Sequence, residues 1–264
     1  MYARGLTNVL TEKSGTERAF ILVKALPQPS ERYTETVCVA GIVPTGQWRR
    51  LYPVRFRQLK DSFQRWDCIE YKWQLPRDDR RLESRNIEGD SVKVVSRLAQ
   101  SERARFLKQR FRESTDEAAS KQESLAIIRP EKVSFFWKPK TETEISEERE
   151  AYSEAAKQRS FLEVDAELKA LEPCPYKFFF KYQTADGRKH ENFCHDWETS
   201  AAFHRLSKTY GAEGALDHLN KEYNERYPKA GMAFAMGTHS QRPDQWLLIG
   251  VLRLDDQAQG ELSV

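Results

Sequence analysis

No uninterrupted apolar run in this 264-residue chain approaches the roughly 18 residues that span a bilayer. The amino end, MYARGLTNVLTEKSGTERAF, has no apolar stretch of the kind a signal peptide needs, so the expectation is a cytoplasmic protein without a membrane partner. Cysteine is scarce and scattered. Cys38, Cys68, Cys174 and Cys194 form no CxxC pair and no small-domain spacing, which excludes a disulfide framework and leaves reduced, mostly buried thiols. A phosphate-cradling glycine loop, a serine nucleophile elbow and a zincin helix are all missing. The hydrophobic share is low at 39%, yet 11% of residues are aromatic, and disordered chains are poor in large rings. A folded globular chain follows, long enough for one large domain or two modest ones.

What the chain does have is cations in the wrong proportion for their place. Residues 1–130 carry 25 Lys and Arg against 17 Asp and Glu, a surplus of 8 positive charges, whereas residues 131–264 carry 18 against 23. The surplus is densest at 49–112, with 18 cations and 9 acids, mostly arginine, whose planar fork suits bidentate contact with phosphate. On charge alone the partner expected is a polyanion, and an arginine-rich solvated surface is the plainer reading of the same residues.

The same segment reads as strands. Ala19 to Leu26 is apolar enough to be buried on both faces and stops at Pro27-Gln28-Pro29. Glu35 to Ile42 and Trp48 to Tyr52 flank a turn punctuated by Pro44 and Gly46, which makes a hairpin. Alternation puts Trp48, Arg50 and Tyr52 on one face and Arg49 and Leu51 on the other, until Pro53 interrupts the ladder. Trp66 to Leu75 alternates cleanly, a charged loop with four arginines follows, and Ser91 to Leu98 is the expected fifth strand. Five short strands over roughly 80 residues suit a small barrel of the OB type.

The run ILVKALPQPS, TVCVAGIVPTGQWRRLYPV and WDCIEYKW resembles the start of a family of uncharacterised bacterial proteins with a dual-OB type of nucleic-acid-associated domain. Val37 to Arg50 carries most of the likeness, and CHDWE at 194–198 and MGTHSQRPDQWLLIGV at 236–251 are similar to later stretches of the same family. The resemblance implies a shared fold, a nucleic-acid setting, and a place in genome defence or mobile-element biology. It carries over no catalytic residue.

From Ala99 to Pro130 the pattern turns helical, with a break near Ser114, and Glu142 to Gln158 reads as an acidic helix or solvated linker. Lys132 to Lys138 is a strand candidate. Tyr176 to Gln183 is an aromatic strand returned by an Ala185-Asp186-Gly187 turn to Arg188–Cys194. Helices to Tyr210 and from Glu213 to Tyr227 follow, and Met232–Gly237 and Trp246–Leu252 close the chain. The fold expected is α+β: an OB-like β-barrel over 15–98, a charged helical connector over 99–172, and an α+β domain over 173–254.

Candidate sites follow from these placements. Trp48, Arg49, Arg50, Tyr52, Arg55 and Arg57, with the loop arginines Arg77, Arg80, Arg81 and Arg85, combine rings with guanidinium groups as a barrel that stacks bases and tracks phosphates does. The plainer reading has the rings filling the barrel and the arginines paired with Glu70, Asp78, Asp79 and Glu83. Asp196 and Glu198, with Lys177, Lys181 or Lys189, could hold Mg²⁺ in a nuclease, the one setting in which a cofactor is expected. Asp196 also stands where a helix N-cap belongs. Cys174, His190, Cys194 and His195 lack the short paired spacing of a zinc site. His239 and Arg242 lie in a loop that could face a ligand. The function expected is nucleic-acid binding, DNA or RNA, with a protein-interaction adaptor as a third class.

Overall fold

The structure, a computed structural model, describes residues 12–26, 28–30, 34–55, 63–77, 79, 81–150, 172–239 and 242–256. Seven strands of the first half form one sheet: Ser14–Lys24 (β1), Gln28–Ser30 (β2), Thr34–Ile42 (β3), Trp48–Arg55 (β4), Asp67–Gln74 (β5), Ser84–Ile87 (β6) and Lys93–Arg97 (β7). Because β1 pairs with both β3 and β5, the order β1-β3-β4-β6-β5 closes on itself as a five-strand barrel. Its ladders are antiparallel except β4 with β6. The inward set of alternating residues, among them Ile21, Val39, Leu51, Ile69 and Tyr71, fills the barrel.

Two expectations are corrected here. The strand that completes the ring is β6, inside the segment read as a charged loop, and β7 lies outside the ring, paired among the described residues to β5 alone. Ser-Arg-Asn-Ile has little strand propensity, so β6 is made by its place between β4 and β5 and by burial of Ser84 and Ile87. Secondly, β4 runs on past Pro53. The register shifts between Val37 and Val39 on its partner strand, and Val54 and Arg55 resume pairing beyond the irregularity.

The second half builds two further sheets from Phe111–Arg112 (β8), Leu125–Ile128 (β9), Glu131–Pro139 (β10), Tyr176–Gln183 (β11), Lys189–Phe193 (β12), Met232–Thr238 (β13) and Trp246–Arg253 (β14). One sheet has the order β14-β13-β9-β8 and the other β10-β11-β12. Leu125–Ile128, expected to be helical, is a strand because Leu-Ala-Ile-Ile is buried at every position and pairs on both edges. Short helices at Arg103–Leu107 and Thr115–Ser120 are what remains of the long helix expected from Ala99; Ser114, at the expected break, caps the second by accepting from the Glu117 amide.

The helix Trp197–Lys221 kinks at Gly211, where φ 71° and ψ 175° interrupt the turn at the position expected to end it. A π-turn at Glu222–Arg226 then places Asn224, which accepts from the Phe135 amide and donates to its carbonyl and so covers the edge of β10. No helix among the described residues is long and apolar enough to cross a membrane.

Sheet β14-β13-β9-β8 lies between two cores. On β13 the sequence Ala-Phe-Ala-Met sends Phe234 and Met236 to a core shared with Phe135, Phe178, Phe180 and the long helix. Ala233 and Ala235 point the other way, against Leu22, Val23, Ala40 and Ile42 on the outside of the barrel. Small residues allow the close approach. A Cβ on Gly250 would stand 3.1 Å from Val23 Cγ2. The outer face of β1 and β3 is therefore covered by the C-terminal sheet.

Candidate nucleic-acid interface

Alternation on β4 holds as expected, yet both of its faces are occupied. Trp48 packs against the core shared with the C-terminal sheet, and Tyr52 is half-buried. Arg50, on the same face, is buried; its Nη2 donates to the Ser124 carbonyl at 2.6 Å and its Nε to Glu83 at 3.3 Å. Arg49 points into the barrel mouth and grips both oxygens of Glu17, at 2.8 and 2.6 Å, while the Tyr71 hydroxyl donates to the same carboxylate. Arg85 lies 4.3 Å over the Trp73 ring. Arg81 holds Asp79 with Nε and Nη2. Burial would raise the Asp79 carboxyl, but Arg81 and the Ser84 hydroxyl outweigh it and hold it at about 2. Four nominated arginines thus spend their charge inside the fold. Arg77 is exposed, whereas Arg57, Arg80 and the Arg55 side chain lie outside the described residues.

Asp196 is wholly buried at the start of the long helix. Its Oδ1 accepts from Arg65 Nη2 at 2.7 Å and from the Glu198 amide at 3.2 Å, and its Oδ2 from the Val251 amide at 2.8 Å. Against the cost of burial, this carboxylate holds the Arg65 guanidinium well above its ordinary value. Both oxygens are committed to protein donors, and Glu198 faces Lys24 at 3.8 Å. His190 meets Thr184 at 2.9 Å and stacks on Tyr182, and Cys194 Sγ meets Thr199 at 3.6 Å. Among the described residues no group of three or more His, Cys, Asp or Glu is placed to hold a metal ion.

The surface that sequence reasoning missed is the outer face of β10-β11-β12. Alternation on β11 buries Phe178, Phe180 and Tyr182 and turns Lys177, Phe179 and Lys181 outward. Register sets Phe136 opposite Phe179 and Phe179 opposite Phe193, so three half-buried rings cross the sheet in a row. Phe136 and Phe179 are stacked at 5.2 Å, and Phe193 meets Phe179 edge-on at 5.6 Å. Lys138 Nζ sits 4.9 Å from the Phe179 centroid and Lys181 Nζ 5.0 Å from that of Phe136. An exposed ammonium over a ring is worth ~0.5–1 kcal/mol. A base on the same ring is worth ~1–3 kcal/mol.

This row leads back toward the barrel. Phe193 contacts His195 at 4.6 Å, and burial followed by the neighbouring His239 pushes the His195 imidazole down to about 4. His239 lies in the β13–β14 loop beside exposed Arg242, and the carbonyl of Thr238, the last residue of β13, accepts from Arg81 of the β5–β6 loop at 3.5 Å. Two separately nominated loops are therefore neighbours, linked through His195 to the aromatic row.

The His195 shift has a testable sign. The unfolded chain takes up this proton near the ordinary 6.5 and the folded chain only near 4, so the stability is complete above about pH 6.5 and is lost as pH falls toward 4. The loss is up to about 3 kcal/mol at roughly 1.4 kcal/mol per unit. In His195→Gln, urea unfolding at pH 7 and pH 4.5 is expected to show a flatter dependence than in the parent; an unchanged slope would assign the acid sensitivity to other groups.

An OB-like barrel joined through a common core to an α+β unit, with a ring-and-lysine sheet face on that unit, defines an α+β protein with a barrel. The chain belongs to the family of domain of unknown function DUF8757, which matches residues 107–262, and domain of unknown function DUF8758 matches residues 15–113. No curated protein matches the chain.

Proposed function

We propose that this protein binds nucleic acid, with phosphate contacts from the loop cations and base contacts from the C-terminal sheet. The observation that carries the reading is the Phe136, Phe179 and Phe193 row with lysine ammoniums over its rings. The basic surplus of residues 1–130 agrees with it, and so do exposed Arg77 and Arg242 on adjoining loops. Buried free thiols at Cys68, Cys174 and Cys194 suit a reducing, cytoplasmic setting. The Mg²⁺-nuclease alternative draws nothing from this geometry, since both oxygens of Asp196 are already engaged. The adaptor alternative has one observation in its favour: the outlying strand β7 is exposed along its length, with Val94 and Val95 at 47% and 42%.

The test is fluorescence anisotropy of the full chain against single- and double-stranded DNA and RNA, with and without Mg²⁺. Saturable binding that weakens with salt, and no cleavage on adding Mg²⁺, is the expected result. Failure to bind any of the four would remove the reading, and co-purification of one protein without nucleic acid would put the adaptor in its place.

A further inference from the structure

We infer that the β10-β11-β12 face takes unpaired bases, and that Lys138 and Lys181 occupy the ring faces until a base displaces them. The inference rests on the nucleic-acid reading and names the ligand of that site as a single strand. A duplex keeps its base faces inside the stack and presents phosphate and groove edges, which half-exposed phenyl rings have no means to recognise. An unpaired strand offers those faces directly, and rings standing on a sheet in one row across three strands accept roughly two or three of them.

The lysines explain how the rings remain stable in water. Lys138 Nζ lies 4.9 Å from Phe179 and 5.7 Å from Phe136, and Lys181 Nζ 5.0 Å from Phe136, inside the ~6 Å range of cation–π attraction. Each ammonium is where a stacked base would go. Exchange favours the base, the stronger of the two ring contacts, and releases the ammonium on its flexible stem to reach a phosphate. The partner acid does not hold Lys181 back: Glu191 is 3.5 Å away and both side chains are largely exposed, so the pair is weak.

Charge on this face is nearly balanced. Lys177 is paired with Glu144 and Lys181 with Glu191, leaving Lys138 and, at the start of β12, exposed Lys189 as the outward lysines with no acid partner among the described residues. Binding here is therefore driven by stacking. Its salt slope is expected to be shallow, about −0.7 for each phosphate engaged on a single strand and so near −1 to −2. Binding through loop arginines alone would have no need of bases.

The experiment compares the full chain with Phe136→Leu, Phe179→Leu and Lys138→Gln on three labelled probes: a short oligothymidine, a duplex of the same length, and an abasic strand of the same length. The leucine variants keep apolar volume and lose only the flat ring, and circular dichroism checks that they are folded. Tighter binding of oligothymidine than of either control, and a loss of about 5- to 100-fold in each leucine variant, is the result expected. Lys138→Gln should lower the salt slope by about 0.7 and leave the preference for bases intact. Equal affinity for the abasic strand, with the leucine variants binding like the parent, would overturn the inference while leaving nucleic-acid binding standing. No binding of any probe by the parent would defeat both.

Discussion

Replacing Asp196 with alanine is expected to cost about 3–5 kcal/mol, the range for removing one partner of a buried ion pair. For a chain of this length that is a fall in Tm of roughly 6–20 °C. The size follows from how many elements one carboxylate joins. Arg65 comes from the barrel half, the Val251 amide from β14, and the Glu198 amide from the first turn of the long helix. The backbone repeats the join, since Leu26 donates to the His195 carbonyl at 2.8 Å. Without the carboxylate, Arg65 keeps its bond to the Val251 carbonyl at 2.6 Å, but its buried Nε already lacks a partner among the described residues and its charge loses its counterion. Thermal and urea melts of Asp196→Ala measure the loss. A loss below about 1 kcal/mol, with a change in any activity, would instead make Asp196 a functional group held at little structural cost.

The barrel was legible because its strands carry their own pattern. Alternation in Trp66–Leu75 marks Ile69, Tyr71 and Trp73 as the inward set, and those three side chains are in the barrel core. The hairpin turn of the second half was legible for a similar reason: Gly187 donates to the Thr184 carbonyl at 2.8 Å, and Asp186 accepts from the Arg188 amide, as an Asp-Gly turn requires. Strands β6 and β9 had no such pattern. Four residues are too few to show a period, and both exist because neighbours on each side supply the ladder.

The site was harder to read than the fold, for a physical reason. Period two assigns Trp48 and Arg50 to one face and Arg49 and Leu51 to the other, and the structure agrees, but alternation is silent on what covers each face. One is the barrel lumen, with Glu17 waiting for Arg49; the other is roofed by a sheet more than seventy residues further along the chain, with Ser124 waiting for Arg50. On β11 the outward triplet Lys177, Phe179 and Lys181 was visible as a strand. Its meaning depended on register, which alone brings Phe136 and Phe193 to the two sides of Phe179.

The same roof sets the second large expectation: residues 1–113 expressed alone, a fragment ending where the first family match ends, should not fold as a soluble monomer. Leu22, Val23, Ala40 and Ile42 on the outside of the barrel are all fully buried, and although Trp66, Leu98 and Leu107 share their cluster, Leu125, Ile127, Ala233, Ala235 and Leu252 of it belong to the other half. Uncovering three large aliphatic side chains and an alanine costs at most on the order of 5–9 kcal/mol at about 1.5–3 kcal/mol for each large one. That is comparable with the whole net stability of a typical domain, about 5–15 kcal/mol. Arg50 would also lose the Ser124 carbonyl and keep only Glu83. The fragment is expected to aggregate or to show a poorly dispersed NMR spectrum with no cooperative melt, and co-expression with residues 107–264 should restore a soluble complex. A cooperative melt of 1–113 by itself would mean that the barrel tolerates a bare apolar face, and the shared core would then be a docking contact between two independent units.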